Sequence, residues 1–154
     1  MGDYVKNRKM YGELFGTLIN EKRFVEVPVY GLSMFPFVLP GDRVVATKVD
    51  VSTLGVGDII VFTRKGRLIA HRLLKLNSEN QTAVSKGDGL IKRDSEIRID
   101  DIQAVVVRHF RNNNEIVSVN KSKAKKIIAL ASPFFGVVTF YLGRIWFKFT
   151  RNNI

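Results

Sequence analysis

Residues 59–76 have the sequence IIVFTRKGRLIAHRLLKL, and this stretch decides the fold class. Ile59 to Thr63 is a near-continuous apolar run rich in strand-forming residues, and Leu68 to Leu76 is a second such run. The four residues between them, RKGR, have the composition of a hairpin turn, in which Gly66 can adopt a positive φ. The stretch therefore predicts two antiparallel strands joined by a tight turn.

Further short strands are predicted on both sides of this hairpin. Alternating or apolar runs separated by turns rich in Gly, Pro or Asn occupy residues 24–30, 43–49, 82–85, 102–110 and 115–119. Pro28 lacks an amide hydrogen, so the first of these strands is predicted to lie at a sheet edge or to start irregularly. Many short strands separated by turn signals predict a mainly β fold with an antiparallel β core.

Two segments outside the strands predict helices. Residues 3–22 carry apolar side chains at helical spacing, which predicts a short amphipathic helix that either packs on the core or lies in a membrane interface. Residues 127–143 carry no charge and predict a C-terminal apolar helix, with a kink at Pro133 if it packs on the core. The predicted organisation is an N-terminal helix over 1–23, a β domain over 24–120, and a basic and apolar helix over 121–154 that could anchor the chain to a membrane.

The composition of 154 residues indicates one domain with a strong positive charge. Lysine and arginine number 25 against 14 acidic residues, which gives a formal net charge of +11. Many of these cations bracket apolar segments, as is typical of a membrane interface, so membrane lipid is an expected partner and nucleic acid is not. The absence of cysteine excludes disulfides, thiolate catalysis and cysteine-ligated metals.

Three short motifs carry the residue types needed for nucleophilic catalysis. Ser33 lies in GLSMFPFVLPGD (31–42), His71 in IAHRLL (69–74), and both Asp88 and Asp94 in KGDGLIKRD (86–94). A hydroxyl, an imidazole and a carboxylate suffice for acyl transfer, because each group activates or orients the next. The second histidine, His109, lies outside these motifs and is predicted to be a surface residue at a strand end. No metal or cofactor is expected, since no cluster has metal-ligand spacing.

These motifs together resemble the signal peptidase I family of membrane-bound serine peptidases, over residues 28 to about 107. The resemblance rests on the order and spacing of four short elements. The first is Ser33-Met34 followed by Pro36 and Gly41-Asp42, and the second is Gly57-Asp58. The third is His71-Arg72, and the fourth is Gly87-Asp88 followed by Asp94. A histidine stands where bacterial-type members carry a lysine base. The chain is therefore similar to the branch found in archaea, the endoplasmic reticulum and some bacteria.

The resemblance implies a signal-peptidase-like β core and a serine endopeptidase that cleaves signal or leader peptides. Ser33 would be the nucleophile and His71 the general base. Asp88 and Asp94 both match family positions that orient the base; Asp94 is favoured because Asp88 lies in a Gly-Asp-Gly turn. Peptide or preprotein substrates would bind in an extended conformation at a sheet edge.

Some residues near the motifs have two possible roles. Gly31, Met34 and Pro36 flank the nucleophile and are candidate substrate-binding positions, although Met34 could equally fill core space and Pro36 could stiffen the loop. Asp42 and Asp58 follow turn glycines and are predicted to stabilise turns.

The chain also departs from the family pattern. Typical members carry a membrane segment before the serine, whereas residues 1–23 contain none and the only candidate span is C-terminal. Insertion by that segment would leave the catalytic domain facing the cytoplasm, which favours a specialised precursor or leader peptide as substrate. Two alternatives stay open, a non-catalytic basic module that binds a membrane surface, and a self-cleaving repressor-like peptidase, although that group uses a lysine base.

Overall fold

The computed structural model describes residues 2–116 and 122–151. Helix α1 spans Gly2–Glu21 and helix α2 spans Ser122–Arg151. Between them lie eight strands, β1 (Val25–Pro28), β2 (Arg43–Lys48), β3 (Ile59–Arg64), β4 (Arg67–Asn77), β5 (Thr82–Lys86), β6 (Ile97–Arg98), β7 (Ile102–Arg111) and β8 (Asn114–Glu115). Two short 3₁₀ helices cover Val51–Thr53 and Ile99–Asp101.

The strands form one antiparallel sheet in the order β1-β2-β7-β3-β4-β5-β6, and β8 pairs with β7. The predicted mainly β class with an N-terminal and a C-terminal helix is therefore confirmed. β1 lies at one end of this order, as Pro28 predicts. The tight turn between β3 and β4 has positive φ angles at Lys65 and Gly66, which matches the right-handed twist of a two-residue hairpin.

The core lies on both faces of the sheet, which explains the continuous apolar run in β3. Ile59 and Val61 join a cluster that also contains Phe15 and Ile19 of α1. Ile60 and Phe62 point the other way into a second cluster with Leu73 of β4. Successive side chains of a strand alternate between faces, so a strand covered on both faces needs apolar residues at every position.

The prediction for His109 is wrong, because this side chain is fully buried. Ala104 and Val106 face the cluster that contains Phe15 and Ile19, so simple alternation would turn position 109 to the other face of the sheet. The pairing of β7 with β2 shifts between Val45 and Ala46 of β2, and this leaves Val107 as an extra residue. Such a bulge reverses the alternation beyond it, which turns Arg108 outward and His109 inward.

Helix α2 extends beyond the predicted apolar run at both ends. Its segments Lys125–Ala131 and Gly136–Trp146 are bent by 98° relative to each other, and Pro133 lies between them. Over the described residues, no single helix has the length and apolarity to cross a membrane, whereas these two segments together do by length and composition alone. Residues 117–119, predicted to belong to the last hairpin, lie outside the described residues.

Candidate active site

The serine loop, residues 31–42, leaves the edge strand β1 and returns into β2. Its two ends are joined by hydrogen bonds from the Val29 amide to the Asp42 carbonyl oxygen and from the Gly41 amide to the Val29 carbonyl oxygen, both 2.9 Å. Inside the loop, Met34 and Val38 are buried in the cluster beneath α1. These two apolar anchors hold the backbone of the loop against the sheet while Ser33, one residue earlier, stays partly exposed.

Asp42 fixes the end of the serine loop to strand β7. Its carboxylate accepts hydrogen bonds from the Leu39 amide at 2.7 Å, from His109 Nε2 at 2.7 Å, and from Arg111 Nε at 3.0 Å. Burial alone would raise the pKa of Asp42, but the bonds from Arg111, Leu39 and His109 outweigh burial and hold this pKa below its usual value. Asp42 thus stabilises its turn and also pairs with the histidine that the bulge buries.

His71 and Asp94 form a hydrogen-bonded pair beside this loop. His71 lies on β4, nearly buried, and its Nδ1 is 2.7 Å from Asp94 Oδ2. The same carboxylate oxygen accepts a hydrogen bond from Ser85 Oγ at 2.7 Å, and the Asp94 amide donates to the Ser85 carbonyl oxygen at 2.9 Å. Asp94 is therefore held by β5 at both its main chain and its side chain, and this fixes the orientation of the imidazole.

The surroundings of Asp94 keep it ionised. Burial by itself would raise its pKa, but the hydrogen bonds from His71 and Ser85 and the nearby charge of Arg64 hold the pKa of Asp94 below its usual value. An ionised carboxylate can only accept a hydrogen bond, so Nδ1 is the ring nitrogen that carries the proton. In a neutral imidazole, Nε2 is then left as the acceptor. This is the tautomer that a general base requires.

Ser33 and His71 approach each other on one side of Gly87. A Cβ on Gly87 would overlap the Ser33 carbonyl oxygen and would lie 3.0 Å from His71 Nε2. The Gly89 amide donates to the Ser33 carbonyl oxygen at 2.9 Å, so the turn 87–89 holds the Ser33 backbone directly. In the described part of the chain, the Ser33 hydroxyl makes no hydrogen bond. Catalytic hydrogen bonds are often long in unliganded enzymes and shorten when substrate binds.

Asp88 does not contact the imidazole by a hydrogen bond and instead pairs with Arg72. Arg72 Nε and Nη2 lie 2.9 and 2.7 Å from the two Asp88 carboxylate oxygens, and both side chains are buried. Arg72 Nη1 also donates to the Gly57 carbonyl oxygen at 2.9 Å. Burial raises the pKa of Asp88, and the hydrogen bonds and charge of Arg72 offset this only in part. This ion pair ties the turn 87–89 to β4.

The structure thus groups Ser33, His71 and Asp94 and places Asp88 in a separate ion pair. Of the three residues considered for substrate binding, Gly31 and Pro36 are exposed beside Ser33, whereas Met34 is buried in the core. Asp58 accepts a hydrogen bond from the Gly55 amide at 2.8 Å, which matches its predicted role in a turn.

Sequence reasoning missed Ser85 and the role of Arg72. The alternation of β5 could have indicated Ser85, because this small polar residue lies two positions after the buried Ala83 and therefore on the same face of the strand. Arg72 follows His71 directly, and a strand arginine beside a buried histidine requires a carboxylate partner if it is buried too.

Comparison with known proteins assigns no family to this chain, since no family model and no curated protein matches its sequence. Among the residues described, no group of three or more histidine, aspartate or glutamate side chains could hold a metal ion.

Proposed function

We propose that this protein is a serine endopeptidase that cleaves peptide or preprotein substrates by acyl transfer. One observation carries the proposal: the His71 imidazole is hydrogen-bonded through Nδ1 to an ionised aspartate, while its Nε2 and the Ser33 carbonyl oxygen both lie next to Gly87. A carboxylate that orients a histidine, with a serine on the other side of the imidazole, is the arrangement of a catalytic triad. The motif resemblance to signal peptidase I supports the same reaction.

In the proposed mechanism, Ser33 Oγ attacks the scissile carbonyl carbon while His71 Nε2 takes the hydroxyl proton. The tetrahedral intermediate collapses when the imidazolium donates that proton to the leaving amine, which leaves an acyl ester on Ser33. Water then attacks the ester with His71 again as base, and the acid product and free serine result. Asp94 stabilises the imidazolium during both transfers and is not itself protonated. The Ser33 amide is the candidate oxyanion donor, because Gly31 offers no hydroxyl two residues earlier.

Two open strand edges support binding of an extended substrate. Among the strands that the structure describes, β1, which leads into the serine loop, pairs with β2 alone. β5 pairs with β4 only from Arg72 onward, so within the described strands residues 67–71 have a partner on the β3 side alone. Val29 and Ala70, from these two edges, pack on the same apolar cluster as Met34. A peptide strand added here would bring its carbonyl to Ser33.

The test is peptide cleavage by the purified protein in detergent or lipid. Substrates carry an apolar segment followed by an Ala-x-Ala site, since the family resemblance implies small residues at the cleavage position and two before it. Ser33→Ala and His71→Ala should each abolish cleavage, while Ser78→Ala, an exposed serine in a distant turn, should cleave like the wild type. Full activity of His71→Ala would reject the proposed base. Unchanged biological function of Ser33→Ala would instead favour a non-catalytic binding module.

A further inference from the structure

From Gly136 onward, α2 exposes a continuous apolar face, which we call the outer face. Successive residues turn at 3.6 per turn, so positions 138, 145 and 149 lie on the side of the helix opposite Gly136 and Gly143. The large apolar side chains of this face are all about half exposed or more, and they are Val138, Tyr141, Leu142, Ile145 and Phe149. A patch of this kind on one helix marks an interaction surface.

The inner face of the same segment is docked on the candidate active site, which fixes the orientation of the outer face. A Cβ on Gly136 would overlap the Leu90 carbonyl oxygen. Thr139 Oγ1 donates to the Asp88 carbonyl oxygen at 3.1 Å. Further along, the rings of Trp146 and Phe35 are 6.0 Å apart. The glycines allow close approach to the serine loop and the turn 87–89, so rotation of the helix to hide the outer face would break these contacts.

The charges around the outer face identify the kind of partner. The 30 residues of α2 contain no acidic side chain and six basic ones, of which Arg144 and Lys148 lie exposed at the margin of the outer face. Lys92 and Arg93, also exposed, follow the Leu90 carbonyl that contacts Gly136. Two copies of this face would bring like charges together, whereas an anionic lipid surface offers apolar depth and opposite charge.

We propose that the outer face of α2 binds in the plane of an anionic phospholipid bilayer. The apolar side chains enter the boundary between headgroups and acyl chains, and the marginal cations contact lipid phosphates through long, flexible stems. If the proposed peptidase function holds, the docked inner face would keep Ser33 next to the bilayer. Substrates with an apolar segment in the same bilayer would then be concentrated at the site.

The proposal is tested by flotation of the full chain with vesicles. Binding is expected to vesicles that contain phosphatidylglycerol and to be at least about tenfold weaker with phosphatidylcholine alone. Ile145→Glu should lower binding to the anionic vesicles by roughly tenfold or more. Val51→Glu introduces the same charge at an exposed apolar residue outside α2 and should leave binding unchanged. Circular dichroism of each variant checks that the fold is retained.

Other outcomes would overturn the proposal. The proposal is wrong if Ile145→Glu binds anionic vesicles as well as the wild type does. If only Leu14→Glu loses vesicle binding, the lipid contact belongs to α1. Concentration-dependent dimerisation that Ile145→Glu prevents, without vesicle binding, would assign the outer face to a second copy of the chain. Ser33→Ala should float like the wild type, so failure of the peptidase proposal leaves this test unaffected.

Discussion

Replacement of Asp88 by asparagine should destabilise the protein far more than replacement of Asp94. The Arg72 side chain is fully buried, and Asp88 is its carboxylate partner at 2.7 Å. Asp88→Asn leaves a buried guanidinium without an opposite charge, which typically costs about 3–5 kcal/mol. For a domain of this size, each kcal/mol lowers the melting temperature by roughly 2–4 °C, so a fall of about 6–20 °C is expected. Thermal unfolding followed by circular dichroism measures it.

Asp94→Asn is the matched comparison and should affect activity more than stability. Asp94 is partly exposed, and its partner His71 does not carry a fixed charge. An amide that turns its nitrogen toward Nδ1 favours the wrong imidazole tautomer, so a loss in kcat/KM of up to about 10⁴-fold is expected. The reasoning is refuted if Asp88→Asn keeps its melting temperature while Asp94→Asn loses stability. A double replacement, Arg72→Met with Asp88→Leu, should recover much of the stability lost in Asp88→Asn, since it removes both charges.

Three further outcomes follow from the same contacts. Gly87→Ala places a methyl group against the Ser33 carbonyl oxygen, and the displaced loop should lose about 10²-fold in kcat/KM in the peptide assay. Ser85→Ala removes one hydrogen bond to Asp94, worth about 1 kcal/mol, so a loss of about fivefold in kcat/KM is expected, with Thr82→Ala as control. The pKa of Asp42 is lowered in the folded state, so its stabilising contribution is complete above the unfolded pKa of about 3.9 and is lost as pH falls through the folded pKa. Urea unfolding should therefore show Asp42→Asn less stable than wild type at neutral pH, with the difference shrinking in acid; an equal difference at both pH values would contradict this.

Local sequence patterns were sufficient to predict most of the strands. The apolar run of β3 and the glycine at position 66 define the central hairpin without any distant contact, and Pro28 marks the edge strand. The prediction that His109 lies at the surface failed, because a one-residue bulge at Val107 turns this side chain inward. A bulge depends on how two distant strands pair, and single-strand periodicity carries no information about it.

The candidate site was predictable in its residue types and only partly in its contacts. The motifs nominated two aspartates for one role, and only the Gly-Asp-Gly turn around Asp88 favoured Asp94. The structure separates the two aspartates by the residue each one contacts. Asp94 accepts a hydrogen bond from Ser85 and reaches His71, whereas Asp88 reaches Arg72. Adjacent residues of β4 project to opposite faces, so one aspartate pairs with His71 and the other with Arg72.

The proximity of Ser33 to a basic imidazole is tested most directly by the reactivity of a thiol at this position. The chain has no cysteine, so Ser33→Cys introduces a unique thiol whose alkylation rate by iodoacetamide can be followed against pH. A neighbouring imidazole stabilises the thiolate, so the thiol should titrate at least about one pH unit lower than in Ser33→Cys combined with His71→Ala. Identical pH profiles for the two proteins would contradict the assignment of Ser33 and His71 as a catalytic pair.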